Sequence, residues 1–265
     1  MSRLHLFEWE DQSWFPKVFR NFITDHLVFH MKRLYMPVAP ILADRMRETG
    51  YTNIVDLCSG GGGPLEVLAP KCAEGLNVEV GVTLTDLFPN LEAFKQAQEA
   101  SDGVIKFRSE SISAMDCPEE LEGFRTIFTA LHHFRPEDVS RILSDAANKG
   151  VPIGVFEFNE RNFVNATVSP LAALLSSFLI TPFLGHMTLS RFVFTYVIPI
   201  APLFFAWDGF VSSLRAYSPK ELDTITSQLD STGYNWDSGK ISAVGHIGPY
   251  NITYLFGIPC GKACS

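Results

Sequence analysis

The 265-residue sequence is short of charge, of basic clusters and of patterned cysteine. Charged residues make up 19% of the chain against 46% hydrophobic, and the mean hydropathy is +0.12. No low-complexity or charge-dominated stretch is present, which excludes a largely disordered chain. Lysine and arginine total 21 against 29 aspartates and glutamates, a net charge of −8, with no Lys/Arg run. A nucleic-acid partner is therefore not expected, because phosphate-backbone binding needs a concentrated basic surface. The five cysteines, Cys58, Cys72, Cys117, Cys260 and Cys264, are odd in number and lack disulfide-framework or zinc spacing. A reduced, cytoplasmic setting is the expectation, free or at a membrane, with Cys260-x-x-x-Cys264 read as an ordinary tail ahead of the alternative of a soft-metal or lipidation site. The opening residues carry Arg3, Glu8, Glu10 and Asp11 and have no apolar core of the secretory kind.

What is present is organised. Residues 14–49 read as helical, with Phe15, Val18, Phe19, Phe22, Ile23, Leu27, Met31, Leu34 and Tyr35 recurring at helical steps until Pro37 and Pro40 interrupt. Strands are expected at 53–57, 78–85, 104–109, 126–131 and 153–158, with helices from Pro64, over 90–100 and over 136–149. Such alternation argues for an α/β fold, a mostly parallel sheet with helices on both faces. A helix over 222–232, started by Ser218-Pro219-Lys220-Glu221, and strands near 240–244 and 252–258 would close the chain. The expected organisation is an N-terminal helical extension (1–50), a cofactor-binding core (51–160), an apolar helical insertion (161–210) and closing elements (211–265).

The most informative string is Ile54-Val55-Asp56-Leu57-Cys58-Ser59-Gly60-Gly61-Gly62-Gly63. A buried strand ends in an acid and runs into glycines that let a ligand approach the backbone. Neither the dinucleotide spacing G-x-G-x-x-G nor a phosphate loop fits, since Pro64 and Leu65 stand where Lys-Ser/Thr is needed. The string resembles motif I of the class I S-adenosylmethionine-dependent methyltransferases, with Cys58 at the family's first glycine. The resemblance covers residues 50–160 well and the last thirty weakly. It implies a Rossmann-like fold and S-adenosyl-L-methionine as cofactor. It places Gly60, Gly61 and Gly62 at the methionine end, counts Asp56 and Ser59 among the cofactor-binding residues, and sets Asp86 on both ribose hydroxyls, which one carboxylate can accept together. Ile112 and Ser113 would flank the adenine, or Ser111 or Asp116 if the alignment is displaced. Thr129 would line the cofactor.

Methyl transfer is an in-line displacement that needs positioning and exclusion of water, and acceptors of high pKa also want a base. His132 and His133, after the fourth strand, are the candidate bases; each can equally be a packed strand-end histidine. Asp208 ends a long uncharged run and is expected to reach water, Arg215 or a substrate. Trp14, Tyr35, Trp207, Arg215 and Tyr217 are candidate substrate contacts. Glu157 and Glu160 flank the fifth strand, but no His/Asp/Glu set has convincing metal-ligand spacing, and no metal is expected. Between residues 162 and 207 the only charged residue is Arg191. The two halves, 166–186 and 189–207, are each about the roughly 20 residues of a membrane span. Three arrangements stay open: a membrane hairpin, helices on a membrane surface or closing over an acceptor pocket, and buried helices completing a core or homodimer. The first two favour a small lipophilic or lipid acceptor. A non-catalytic membrane-associated or interaction protein on the same scaffold is the rival reading.

Overall fold

The computed structural model describes residues 2–185, 187–230, 232–245 and 248–260. In chain order the elements begin with α1 (Lys17–Leu34), α2 (Val38–Thr49), β1 (Asn53–Asp56), α3 (Leu65–Leu76), β2 (Gly81–Leu84) and α4 (Leu91–Ala100). There follow β3 (Ile105–Phe107), β4 (Phe124–Phe128), a 3-10 turn Leu131–His133, α5 (Pro136–Asn148) and β5 (Ile153–Glu157). Then come α6 (Phe163–Ile180), α7 (Leu189–Phe192), a π turn Val193–Val197, α8 (Ile200–Arg215), α9 (Pro219–Thr226), β6 (Tyr234–Gly245) and β7 (Gly248–Pro259). They fall into two compact units, one of residues 32–158 with 218–265, the other of 1–31 with 159–217.

The larger unit is a seven-stranded sheet in the order β3-β2-β1-β4-β5-β7-β6. The first five strands are parallel, and β7 enters antiparallel to β5 and to β6. Every residue of the central strands β4 and β5 is buried, as a sheet covered on both faces requires. Arg125 of β4 lies in that interior because Asp145 of α5 meets its guanidinium at 2.7 Å. The strands are shorter than expected, and residues 129–133 leave the ladder and tighten into the 3-10 turn instead of extending β4. The closing strands are longer than expected, forming a hairpin of 12-residue strands. Pro40 does not interrupt α2: it sits in the first turn, where its missing N–H would have no partner in any case. The capping box at Ser218 and Glu221 is present, although α9 stops at Thr226.

The helical unit has its own core, where Phe15, Phe22 and Ile23 meet Ala201 and Phe205 of α8 with Ala173 of α6 against them. The N-terminal extension thus belongs with the apolar insertion up to Met31, whereas α2 packs on α3 in the sheet unit. The insertion is not two helices of equal length. α6 is continuous, but the second half is broken by a bend of 73° between residues 197 and 200. Pro199 at that break has no N–H to continue the ladder, and its ring opposes the preceding turn. His186, the expected end of the first half, and Cys264 of the tail lie outside the described residues. The four described cysteines are free thiols.

Candidate active site

In the sheet order the crossovers from β1 and β4 leave in opposite directions, so the carboxyl ends of these neighbours form a topological switch point, where open α/β sheets bind ligands. β1 ends there in Asp56, buried, with Oδ1 accepting the Thr126 hydroxyl of β4 at 2.6 Å. Burial pushes the Asp56 carboxyl up to about 7, partly offset by the Thr126 and Ser59 hydrogen bonds. The loop that follows turns through positive φ at Cys58 (57°), Gly60 (53°), Gly62 (100°) and Gly63 (60°). Ser59 anchors its underside: the hydroxyl donates to the Asp56 carbonyl at 2.9 Å and the amide to the Thr85 carbonyl at 3.0 Å. At Gly62 the φ of 100° favours glycine, and a Cβ would also sit tightly against the Ala97 methyl at 3.3 Å. Cys58 adopts this conformation without being glycine, and burial raises its thiol pKa well above the ordinary range, which keeps it protonated and unreactive.

Asp86, just beyond β2, faces the loop. Oδ2 accepts the Gly60 amide and Oδ1 the Phe88 amide, each at 2.8 Å. The Asp86 carbonyl accepts the Ile112 amide at 2.9 Å, drawing the segment after β3 to the same edge. Ile112 is buried there, and the Ser113 hydroxyl accepts the Met115 amide at 3.2 Å. The residues expected at the methionine, ribose and adenine positions therefore share one rim of the sheet.

A second cluster occupies the ends of β4 and β5. The Glu157 carboxylate is buried, with Oε1 accepting the Leu131 and His132 amides at 2.7 and 3.3 Å and Oε2 facing His132 Nδ1 at 2.8 Å. The carboxylate only accepts, so the neutral ring carries its proton on Nδ1 and Nε2 is the basic nitrogen. The His133 ring lies 4.3 Å from that of His132. Thr129 enters the turn at φ 50°, a costly conformation for a β-branched residue. Its hydroxyl pairs with the Tyr35 hydroxyl at 2.6 Å, which also donates to the Phe156 carbonyl at 3.1 Å and accepts the Phe158 amide at 3.0 Å. Tyr35 was expected at the substrate. It is instead fully buried, its hydroxyl consumed in clamping the ends of β4 and β5, and burial raises its pKa.

The remaining candidates lie in the helical unit. The Asp208 oxygens accept the Trp9 and Glu10 amides at 2.8 and 3.2 Å. Arg215 is buried, holds the Leu6 carbonyl through Nε at 2.7 Å, and pairs with Asp11 at 2.7 Å and Glu8 at 3.5 Å. Both side chains fasten the N-terminal segment. Tyr217 is buried under the Arg3 guanidinium, 4.0 Å from its ring. Trp207 donates its indole N–H to the Phe7 carbonyl at 3.1 Å, and Trp14 is 67% exposed. Glu157 is the member of this cluster that sequence reasoning leaves without a role. Its signal was the parallel pairing of β4 with β5, which brings an acid at the end of one strand beside a histidine just past the end of the other.

No protein-family profile matches the sequence, and no curated protein matches it. Solved structures do share the fold. The plantazolicin methyltransferase BpumL in complex with SAH is 11% identical, with a TM-score of 0.56 over 94% of each chain. The citrinin polyketide synthase CMeT domain, 11% identical, has a TM-score of 0.56 over 97% of this chain and 60% of its own. An O-methyltransferase family protein from Burkholderia thailandensis, 14% identical, has a TM-score of 0.50 over 90% of this chain. This chain spans only 60% of that protein's length. The chain has the Rossmann-like α/β fold of methyltransferases, with N-terminal helices added.

Proposed function

We infer that the protein transfers a methyl group from S-adenosyl-L-methionine to a small or lipophilic acceptor, with His132 as the proton acceptor. The observation that carries this reading is the buried His132–Glu157 pair on the sheet edge that also holds the glycine loop and Asp86. The donor set suits the cofactor. Each Asp86 oxygen takes one amide hydrogen and keeps acceptor capacity for a ribose hydroxyl. Gly60 has open space around its Cα, Ser59 and Asp56 hold the loop from beneath, and Gly61, Gly62, Ile112, Ser113 and Thr129 complete the expected lining. The similar fold crystallised with SAH supports the same choice.

Bound there, S-adenosylmethionine supplies an electrophilic methyl group on a sulfonium. Glu157 holds the imidazole in one tautomer, so that Nε2 can take the proton of an O–H or N–H acceptor. The same carboxylate then stabilises the imidazolium, while Tyr35 and Thr129 fix the turn that carries it. Calorimetric titration with S-adenosylmethionine and S-adenosylhomocysteine tests the reading. Saturable binding lost in Asp86→Ala supports it, and His132→Ala should bind the cofactor yet turn over slowly. Folded protein that binds neither compound would favour a non-catalytic role for the scaffold.

A further inference from the structure

α6 is built inside out for a soluble protein. The face it turns to its own unit carries Ala166, Ala173 and Ser177. The face it turns outward carries Val164, Val168, Leu171, Leu175 and Leu179, spaced by three and four residues over four turns and all exposed. Only 11% of its apolar window is buried, so it is not a core helix. Small residues inside and large apolar residues outside is the arrangement adopted where the surroundings are hydrocarbon. The outward surface continues beyond α6 through Phe183, Leu189, Val197, Ile198 and Leu203, with Leu189 80% exposed. Summed over these side chains it is on the order of 1,000 Å², larger than the few hundred expected on a soluble monomer.

The buried Thr195 hydroxyl of this stretch has no hydrogen-bond partner among the described residues, but other polar groups here are satisfied inside the unit. The Ser177 and Thr181 hydroxyls donate to the carbonyls of Ala173 and Ser177, at 2.7 and 2.5 Å. The Tyr196 hydroxyl donates to the Phe178 carbonyl at 2.8 Å. Arg191, the only charge between 162 and 207, is neutralised by Asp25 and donates to the Leu184 carbonyl. A face without uncompensated charge matches hydrocarbon, whereas a protein partner is met by a polar rim. Its spread over α6, α7, the π turn and the start of α8, with a 73° bend between them, suits a fluid occupant better than one rigid partner. Trp14 and Trp207, both solvent-accessible, supply the amphipathic rings that favour the level of lipid headgroups.

We propose that the helical unit docks the protein on a lipid bilayer, its outward apolar face inserted in the near leaflet. The inference is independent of the methyl-transfer reading. Because the chain carries a net charge of −8, insertion is driven by apolar contact and opposed by anionic headgroups. The test is flotation of the full chain, exchanged out of mild detergent, with phosphatidylcholine vesicles and with vesicles containing phosphatidylglycerol. The expected result is binding to neutral vesicles, several-fold weaker on anionic ones. Leu171→Glu/Leu175→Glu/Leu179→Glu should lower vesicle binding at least tenfold while leaving helical circular dichroism and S-adenosylhomocysteine titration unchanged. If the variant loses its helical signal, quenching of wild-type tryptophan fluorescence by lipids brominated in the acyl chain decides: quenching supports insertion and its absence refutes it. Wild-type protein that stays in the aqueous phase, as a monomer or as a dimer that the triple variant dissociates, overturns the proposal.

Discussion

At the scale of single residues, the His132–Glu157 pair separates two tasks that substitution can pull apart. Glu157→Gln keeps the acceptor oxygen for the Leu131 amide but cannot stabilise a charged imidazole. With His132 as the base, His132→Ala should lower kcat by about 10²–10⁴-fold with little change in cofactor affinity. Glu157→Gln should lower kcat less and shift the pH dependence of kcat, which a purely structural role would not do. Asp56 gives a stability prediction of opposite character. Its folded pKa is about 7 and its ordinary value 3.8, so between them the folded state holds the extra proton. Its contribution is therefore present below the lower value and lost as pH rises through the upper one. Asp56→Asn should flatten that decline, narrowing the Tm difference between about pH 5 and about pH 8 by melts recorded against wild type. His26 in the helical unit works in the other direction: burial holds its pKa down to about 4, so its share of stability is lost as pH falls from 6.5.

At the scale of elements, the sheet was legible because strand and helix periods alternate and β1 to β5 are marked by apolar runs ending in polar residues. The positions of the glycine loop and Asp86 were legible for the same reason, since Asp86 sits two residues past β2 and the first glycine, Gly60, four past β1. Three features were not. Tyr35 reads as the end of an amphipathic helix, and nothing local says that its hydroxyl will reach across to β4 and β5. Asp208 and Arg215 look like partners at helical spacing, yet the N-terminal segment meets both, Asp208 through the Trp9 and Glu10 amides and Arg215 through the Leu6 carbonyl and the Asp11 and Glu8 carboxylates. Arg125 within β4 looks like an interruption until α5 brings Asp145 to it. Removing that partner should be costly, because the guanidinium stays buried and the Cys117 amide also loses its acceptor. Asp145→Ala is expected to cost about 3–5 kcal/mol in chemical denaturation. Conversion of both Arg125 and Asp145 to apolar residues should recover part of it.

At the scale of the whole molecule, the chain passes between its two units three times, at 31–32, 158–159 and 217–218. The helical unit is therefore assembled from two distant stretches. Phe15, Phe22 and Ile23 are buried by residues nearly 180 positions later in sequence. Excising 163–215 with a short linker should uncover that stripe, and the product is expected to aggregate on removal of detergent. Excising 2–31 as well should restore solubility, measured by light scattering. Soluble, monodisperse protein after the first excision would mean that α1 does not depend on α8 for cover.

The placement of β7 has a consequence for synthesis. Glu157 of β5 pairs with Thr253, so the fully buried edge of β5 waits for a partner that emerges only after the entire helical insertion. At translation rates of about 5–20 residues per second, that open edge persists for roughly five to twenty seconds. Throughout that interval the greasiest segment of the polypeptide leaves the ribosome beside an unfinished sheet. Burden on holding chaperones, or early handover of the nascent insertion to another apolar phase, is built into the order in which the strands are made.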